Sequence, residues 1–139
     1  MVSRVIPVDP FDLVIFGGTG DLARRKILPG LYRRFWDGQM PPEARIIGAA
    51  RSEMDEASYR AFVRDAVTEF VSKRKCDSEL LDQFIERLSY VAVDARGEDG
   101  WERLAGMMRD GVVKAYYFSV GPSLFGDIAE RLHRFKIAD

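Results

Sequence analysis

The residues best placed to do chemistry are three glycines and an arginine about thirty positions after them. Phe16-Gly17-Gly18-Thr19-Gly20-Asp21-Leu22-Ala23 follows the apolar run Leu13-Val14-Ile15-Phe16 and leads into a helix-compatible stretch. Gly18-x-Gly20-x-x-Ala23 fits the G-x-G-x-x-G/A pattern of a loop that holds a dinucleotide pyrophosphate. One glycine takes a backbone conformation closed to other residues, and a second lets the main chain approach phosphate with no Cβ in the way. A small residue at Ala23 lets helix and strand pack closely, and the helix start offers free N–H groups and partial positive charge. The loop is too short for a Walker P-loop and no Gly-Lys-Ser/Thr follows it. The plain alternative is a glycine-rich turn without a ligand; the strand before and the helix after favour the binding loop.

The end of the second apolar run selects the ligand. NAD-binding folds place a carboxylate there for the ribose 2′-hydroxyl, and NADP-binding folds place an arginine for the 2′-phosphate. Here Arg45-Ile46-Ile47-Gly48-Ala49-Ala50 ends in Arg51-Ser52. A guanidinium pairs with phosphate oxygens bidentately, and the serine adds a hydroxyl. The first acid beyond, Glu53, is expected on the next helix.

These groups need a scaffold, and the patterning supplies one. Short apolar runs at Leu13–Phe16, Arg45–Ala50, Tyr90–Val93 and Ala115–Val120 alternate with helical segments. Runs without polar alternation indicate strands buried on both faces, and strands separated by helices imply a parallel sheet with right-handed crossovers. The fold class is α/β: a Rossmann-like doubly wound parallel sheet, incomplete, with about four strands and flanking helices. Asp21–Asp37 reads as two helical pieces broken at Pro29-Gly30, because proline is excluded from a helix interior. Phe62, Val63, Ala66, Val67, Phe70 and Val71 form one helical face. Asp77 caps a helix with an inner stripe of Leu80, Leu81, Phe84, Ile85 and Leu88. Trp101, Leu104, Ala105 and Met108 mark another helix. Pro122 opens the last one, with Leu124, Phe125, Ile128, Ala129, Leu132 and Phe135 turned inward. The fourth strand is expected to have an open edge and to favour self-association.

Composition narrows the functional classes. The 139 residues carry 47% hydrophobic and 12% aromatic side chains, enough for one well-packed domain. The net charge of −1 gives no global field for nucleic acid or an anionic membrane. The single cysteine, Cys76, excludes an internal disulfide and fits a reducing, cytoplasmic setting. No run approaches the ~20 apolar residues that span a bilayer, and Met1–Pro7 lacks the apolar core of a signal peptide. One histidine and one cysteine cannot build a zinc site, so no metal is expected. His133 reads as an exposed helix residue, Lys73-Arg74-Lys75 as a basic helix end, and Ser119 has no base to activate it.

The segment Gly17-Gly18-Thr19-Gly20-Asp21-Leu22-Ala23-Arg24-Arg25-Lys26, with Pro29 after it, resembles the N-terminal signature of glucose-6-phosphate dehydrogenases. Gly48-Ala49-Ala50-Arg51-Ser52, Ser89–Asp94 and Tyr117–Phe125 resemble that family's second, third and fourth strand segments, in the same order and spacing. The resemblance implies a cofactor-binding set. Gly17, Gly18, Thr19, Gly20, Asp21 and Leu22 would wrap the pyrophosphate, and Arg51 and Ser52 would hold the adenosine 2′-phosphate. Asp94 and Ala95 would border the adenine, Val120, Gly121 and Pro122 would line the groove, and Lys26 would lie near the junction with the substrate. It implies NADP as cofactor, oxidation of glucose 6-phosphate to 6-phosphogluconolactone in the pentose phosphate route, and a homo-oligomer at full length. The family's Glu-Lys-Pro-x-Gly and Arg-Ile-Asp-His-Tyr-Leu-Gly-Lys segments are not in these residues. Residues 1–139 therefore read as the N-terminal part of an NADP-binding domain, without the substrate domain and, alone, without catalytic residues. Two other readings stay open: another NADP-dependent dehydrogenase, although the Tyr-x-x-x-Lys pair of extended short-chain enzymes is missing, and a non-catalytic NADP-sensing module.

Overall fold

A computed structural model describes residues 9–137; the sequence reading of the N-terminal residues lies outside them. Four strands, β1 (Phe11–Phe16), β2 (Arg45–Ala50), β3 (Leu88–Ala92) and β4 (Val113–Phe118), form one sheet in the order β3-β2-β1-β4. Every pairing is parallel, so all four strands end at the same edge. Between them run α1 (Leu28–Trp36), α2 (Glu56–Phe70), α3 (Ser78–Ile85) and α4 (Trp101–Met107), and α5 (Phe125–Arg134) follows β4. The expected α/β parallel sheet is observed, with β3 and β4 as its outer strands.

Alternate residues of each strand feed two cores, as the two-residue side-chain period requires. Ile15, Ile46 and Leu88 face α1, α2 and α3 through Tyr32, Tyr59, Val63, Val67, Leu81 and Phe84. Val14, Phe16, Ile47, Ala49 and Val91 face α4 and α5 through Trp101, Leu104, Ile128 and Leu132. Full burial of an aliphatic or aromatic side chain of this size contributes about 1.5–3 kcal/mol. The two cores thus cover the sheet on both faces. Among the described residues no helix is long and apolar enough to cross a membrane.

The helices depart from the sequence reading in definite ways. No break occurs at Pro29-Gly30. The helix starting at Asp21 runs through Ala23–Ile27 as a π turn and continues into α1, with the Leu28 N–H bonded to the Ala23 carbonyl. The wider turn just before Pro29 loosens the stretch of ladder in which a proline has no N–H to give. Leu88 belongs to β3 rather than to the stripe of α3, which stops at Ile85. Phe125 and Ala129 are exposed, because α5 turns Ile128 and Leu132 inward instead. Pro122 opens a short 3-10 turn, Pro122–Leu124, ahead of α5. Asp77 caps α3 as expected, accepting from the Glu79 and Leu80 amides at 2.9 and 3.1 Å.

The opposite, amino edge of the sheet is tied by one fully buried carboxylate. Asp12 accepts from Arg45 Nε at 3.1 Å and from Arg109 Nη2 at 2.7 Å. The Arg109 backbone amide adds a third donor at 2.8 Å. Burial pushes the Asp12 carboxyl upward, but the hydrogen bonds from Arg45 and Arg109 outweigh it and hold the group below its ordinary range.

Candidate functional site

Parallel strands bring four loop starts to one edge, where open α/β sheets bind their ligands. At the end of β1, Gly17 sits at φ +83°, a conformation that L side chains rarely adopt, and a Cβ there would lie 2.5 Å from the Ser119 carbonyl oxygen. The Gly17 and Gly18 amides both donate to the Ala49 carbonyl, at 2.8 and 3.2 Å, which hangs the loop on β2. The Gly20 amide donates to the Gly17 carbonyl at 2.9 Å and closes the turn. Ser119 Oγ donates to that carbonyl from β4's side at 3.0 Å. Tyr59 of α2 reaches in and donates its hydroxyl to the Gly18 carbonyl at 3.0 Å.

With these bonds made, the chain turns into the helix at Asp21. The first amides of a helix have no partner inside it, and they carry the positive end of its dipole. Asp21 and Leu22 are exposed there, and Ala23 is fully buried against the first core. The six loop residues proposed from sequence are therefore together but do different work. Gly17 and Gly18 spend their polar groups on the scaffold and serve by lacking side chains. Thr19, Gly20, Asp21 and Leu22 form the outer surface of the turn.

Arg51 and Ser52 follow β2 at the same edge, both exposed. Their turn is held by Tyr90 of β3, whose hydroxyl donates to the Ser52 carbonyl at 2.6 Å. Burial, with the Glu53 carboxylate next, pushes the Tyr90 phenol up, so it remains a donor at neutral pH. Glu53 is not on a helix, contrary to the expectation from sequence. It lies in the loop before Asp55, which caps α2, because that cap delays the helix to Glu56. As a result Glu53 lines a recess of about 180 Å³ together with Arg51, Ala92, Val93, Asp94 and Asp99. Among the described residues Arg51 forms no ion pair.

Asp94 lies just past β3 and is locked in place. It accepts from the Arg96 amide at 3.0 Å, its carbonyl takes the Trp101 indole N–H at 2.8 Å, and its own amide donates to the Asp99 carbonyl at 3.1 Å. Ala95 and Val120 pack at the margin of the second core, while Gly121 and Pro122 are exposed beyond β4. Lys26 is exposed on the π turn and takes no part in the loop's hydrogen bonds. His133 is exposed on α5, as read from sequence. A larger hollow of about 380 Å³ opens at the amino edge, lined by Leu13, Leu31, Met40 and Val113. Its lining is mostly apolar, with Asp9, Arg34 and Gln39 as the polar members.

The glycine turn, the helix start and the Arg51 recess fit a dinucleotide laid along the carboxyl edge. Arg51 lines the recess beyond β2 and β3, and the turn carries no side chain at Gly17, Gly18 and Gly20. Sequence reasoning missed Tyr59 and Tyr90, the two phenols that pin this edge. For Tyr59 a signal existed: it stands four residues before Val63, on the same helical face.

Comparison with known proteins places the chain in a family. Residues 14–139 match the family model described as glucose-6-phosphate dehydrogenase, NAD binding domain. The chain is 44% identical to the glucose-6-phosphate 1-dehydrogenase of Rhizobium meliloti (strain 1021), across 99% of its own length and 28% of that relative. It is 43% identical to the enzyme of Gluconobacter oxydans (strain 621H), across 94% of its own length and 27% of the relative. Among solved structures it superposes on glucose-6-phosphate 1-dehydrogenase from Mycobacterium avium with a TM-score of 0.85 at 29% identity, covering 94% of this chain and 28% of that one. The chain thus spans little more than a quarter of the length of these relatives.

Proposed function

The chain belongs to the glucose-6-phosphate dehydrogenase family, matching its NAD-binding domain, and from that premise we propose that it holds NADP for the oxidation of glucose 6-phosphate to its lactone. Family membership carries the nucleotide-binding role. The finer choice of NADP rests on one observation: Arg51 follows β2 with no ion pair among the described residues, where a 2′-phosphate would meet it. Bound in this way, the cofactor supplies a hydride acceptor. The chain's own work is to bind and orient it. The helix start at Asp21 and Leu22 would meet the pyrophosphate, Arg51 and Ser52 the 2′-phosphate, and Asp94 and Ala95 the adenine side. Val120, Gly121 and Pro122 are assigned to the groove, and Lys26 to the junction with the substrate, on the strength of the family resemblance alone. The lone cysteine fits a cytoplasmic protein.

The Arg51 recess also contains Glu53, Asp94 and Asp99. Three carboxylates beside one guanidinium temper the preference, so NAD is accepted as the weaker ligand rather than excluded.

The glycine turn tests the binding role separately from cofactor choice. In Gly20→Val, two methyl groups project from a turn whose Cβ position already lies 3.2 Å from the Gly17 carbonyl oxygen. The variant is expected to lose roughly tenfold or more in affinity for NADP and NAD alike, because both share the pyrophosphate. Calorimetric titration of each cofactor into folded Gly20→Val protein measures this. Unchanged affinity for both would remove the turn from the site.

A further inference from the structure

We infer that the Tyr59 hydroxyl is a positioning group for the dinucleotide: it orients the Gly18–Thr19 peptide so that the Thr19 N–H faces the pyrophosphate. The inference rests on the nucleotide-binding reading and adds to it the residue that presets the loop. Tyr59 is fully buried, and its hydroxyl donates to the Gly18 carbonyl at 3.0 Å. A trans peptide is planar, with its C=O and N–H pointing in opposite directions. Holding the Gly18 carbonyl inward, toward α2, therefore turns the Thr19 N–H outward. The neighbouring peptide follows the same logic. The Gly17 carbonyl is held by Ser119 Oγ and the Gly20 amide, and the Gly18 N–H points the other way, to Ala49.

The surrounding residues are shaped to admit this phenol. A Cβ on Gly48 would lie 2.3 Å from the Tyr59 ring and hydroxyl, and a Cβ on Gly18 would lie 2.9 Å from the same hydroxyl. The ring is braced by Phe62 and Tyr90, with centroids at 5.8 and 4.9 Å. Burial pushes the phenol well above its ordinary range, so the donor persists across neutral and alkaline pH. Glycine on the carbonyl side of this peptide leaves its rotation easy when nothing holds the carbonyl. Preorganising one amide spares the ligand that ordering cost.

Tyr59→Phe keeps the ring in its notch and removes only the donor. Affinities for NADP, NAD and adenosine 2′-monophosphate, which has no pyrophosphate, are to be compared in wild type and variant by NMR titration, with thermal melting alongside. The expected result is a roughly five- to thirty-fold loss for both dinucleotides and a change within about twofold for adenosine 2′-monophosphate. In the wild type the Thr19 amide resonance is expected to shift on NADP addition, a readout that does not depend on the variant folding. Equal losses for all three ligands would mean that Tyr59 acts through general stability, and unchanged dinucleotide affinity or a silent Thr19 amide would also overturn the inference. Failure of the wild type to bind either dinucleotide would instead overturn the nucleotide-binding reading, and this inference with it.

Discussion

Arg51→Ala is expected to weaken NADP binding by roughly 10- to 150-fold while leaving NAD within about a factor of two. A charge-assisted hydrogen bond contributes about 1.5–3 kcal/mol, and each ~1.4 kcal/mol is a factor of ten. Two features of the edge place the result toward the lower bound. Arg51 is exposed, so water and salt screen its charge, and Glu53, Asp94 and Asp99 share the recess. The loss should shrink as ionic strength rises, because the wild-type advantage is electrostatic. Parallel titrations of NADP and NAD at low and high salt measure both effects. An Arg51→Ala protein that keeps its NADP preference would show that another group holds the 2′-phosphate.

The second large effect lies at the far edge of the sheet. Asp12→Ala is expected to lower stability by about 3 kcal/mol, since removing one member of a buried ion pair leaves the other charges uncompensated, here arginines still partly open to water. For a domain of this size that is a fall in Tm of about 10 °C. The pH dependence has a definite sign. The folded Asp12 carboxyl titrates below its ordinary value, so its contribution is complete above about pH 4 and is lost as pH falls through the depressed value. Acid unfolding should therefore begin below about pH 4 in the wild type, and the difference between wild type and Asp12→Ala should narrow there. Thermal melts from pH 3 to 7 follow it. Because Asp12 is remote from the carboxyl edge, nucleotide affinity of the folded variant should match wild type. A stability gap that stayed constant as pH fell would contradict this account.

What could be read in the sequence depended on how local the cause was. β2 was legible at both ends: Pro41-Pro42 stands before it and Arg51-Ser52 after it, and the run between is apolar. β4 begins two residues before the expected start. Lys114 looks unfit for a buried strand, but β4 is an outer strand and both Val113 and Lys114 are exposed. The break at Pro29 followed a sound rule, and a π turn, which leaves no mark in periodicity, made the continuous helix possible. Leu88 continued the α3 stripe by spacing alone, although the chain had already turned into β3. The glycine turn was legible because its residue types and order are dictated by backbone approach. The tie between Asp12 and Arg109, 97 residues apart, was not, since only the fold brings them together. Tyr59 and Tyr90 fall between these cases. Each belongs to a visible apolar pattern, but the hydroxyl partner is a backbone carbonyl, which no sequence names.

Binding of NADP at the carboxyl edge of this sheet, as proposed, can be read residue by residue from an amide chemical-shift map recorded while NADP is added. Saturable shifts are expected at Thr19–Leu22, Arg51–Ser52 and Asp94–Ala95, larger for NADP than for NAD at Arg51–Ser52, with Asp12, Arg45 and Arg109 unmoved. Saturable shifts confined to the amino edge, or none at millimolar NADP, would contradict it.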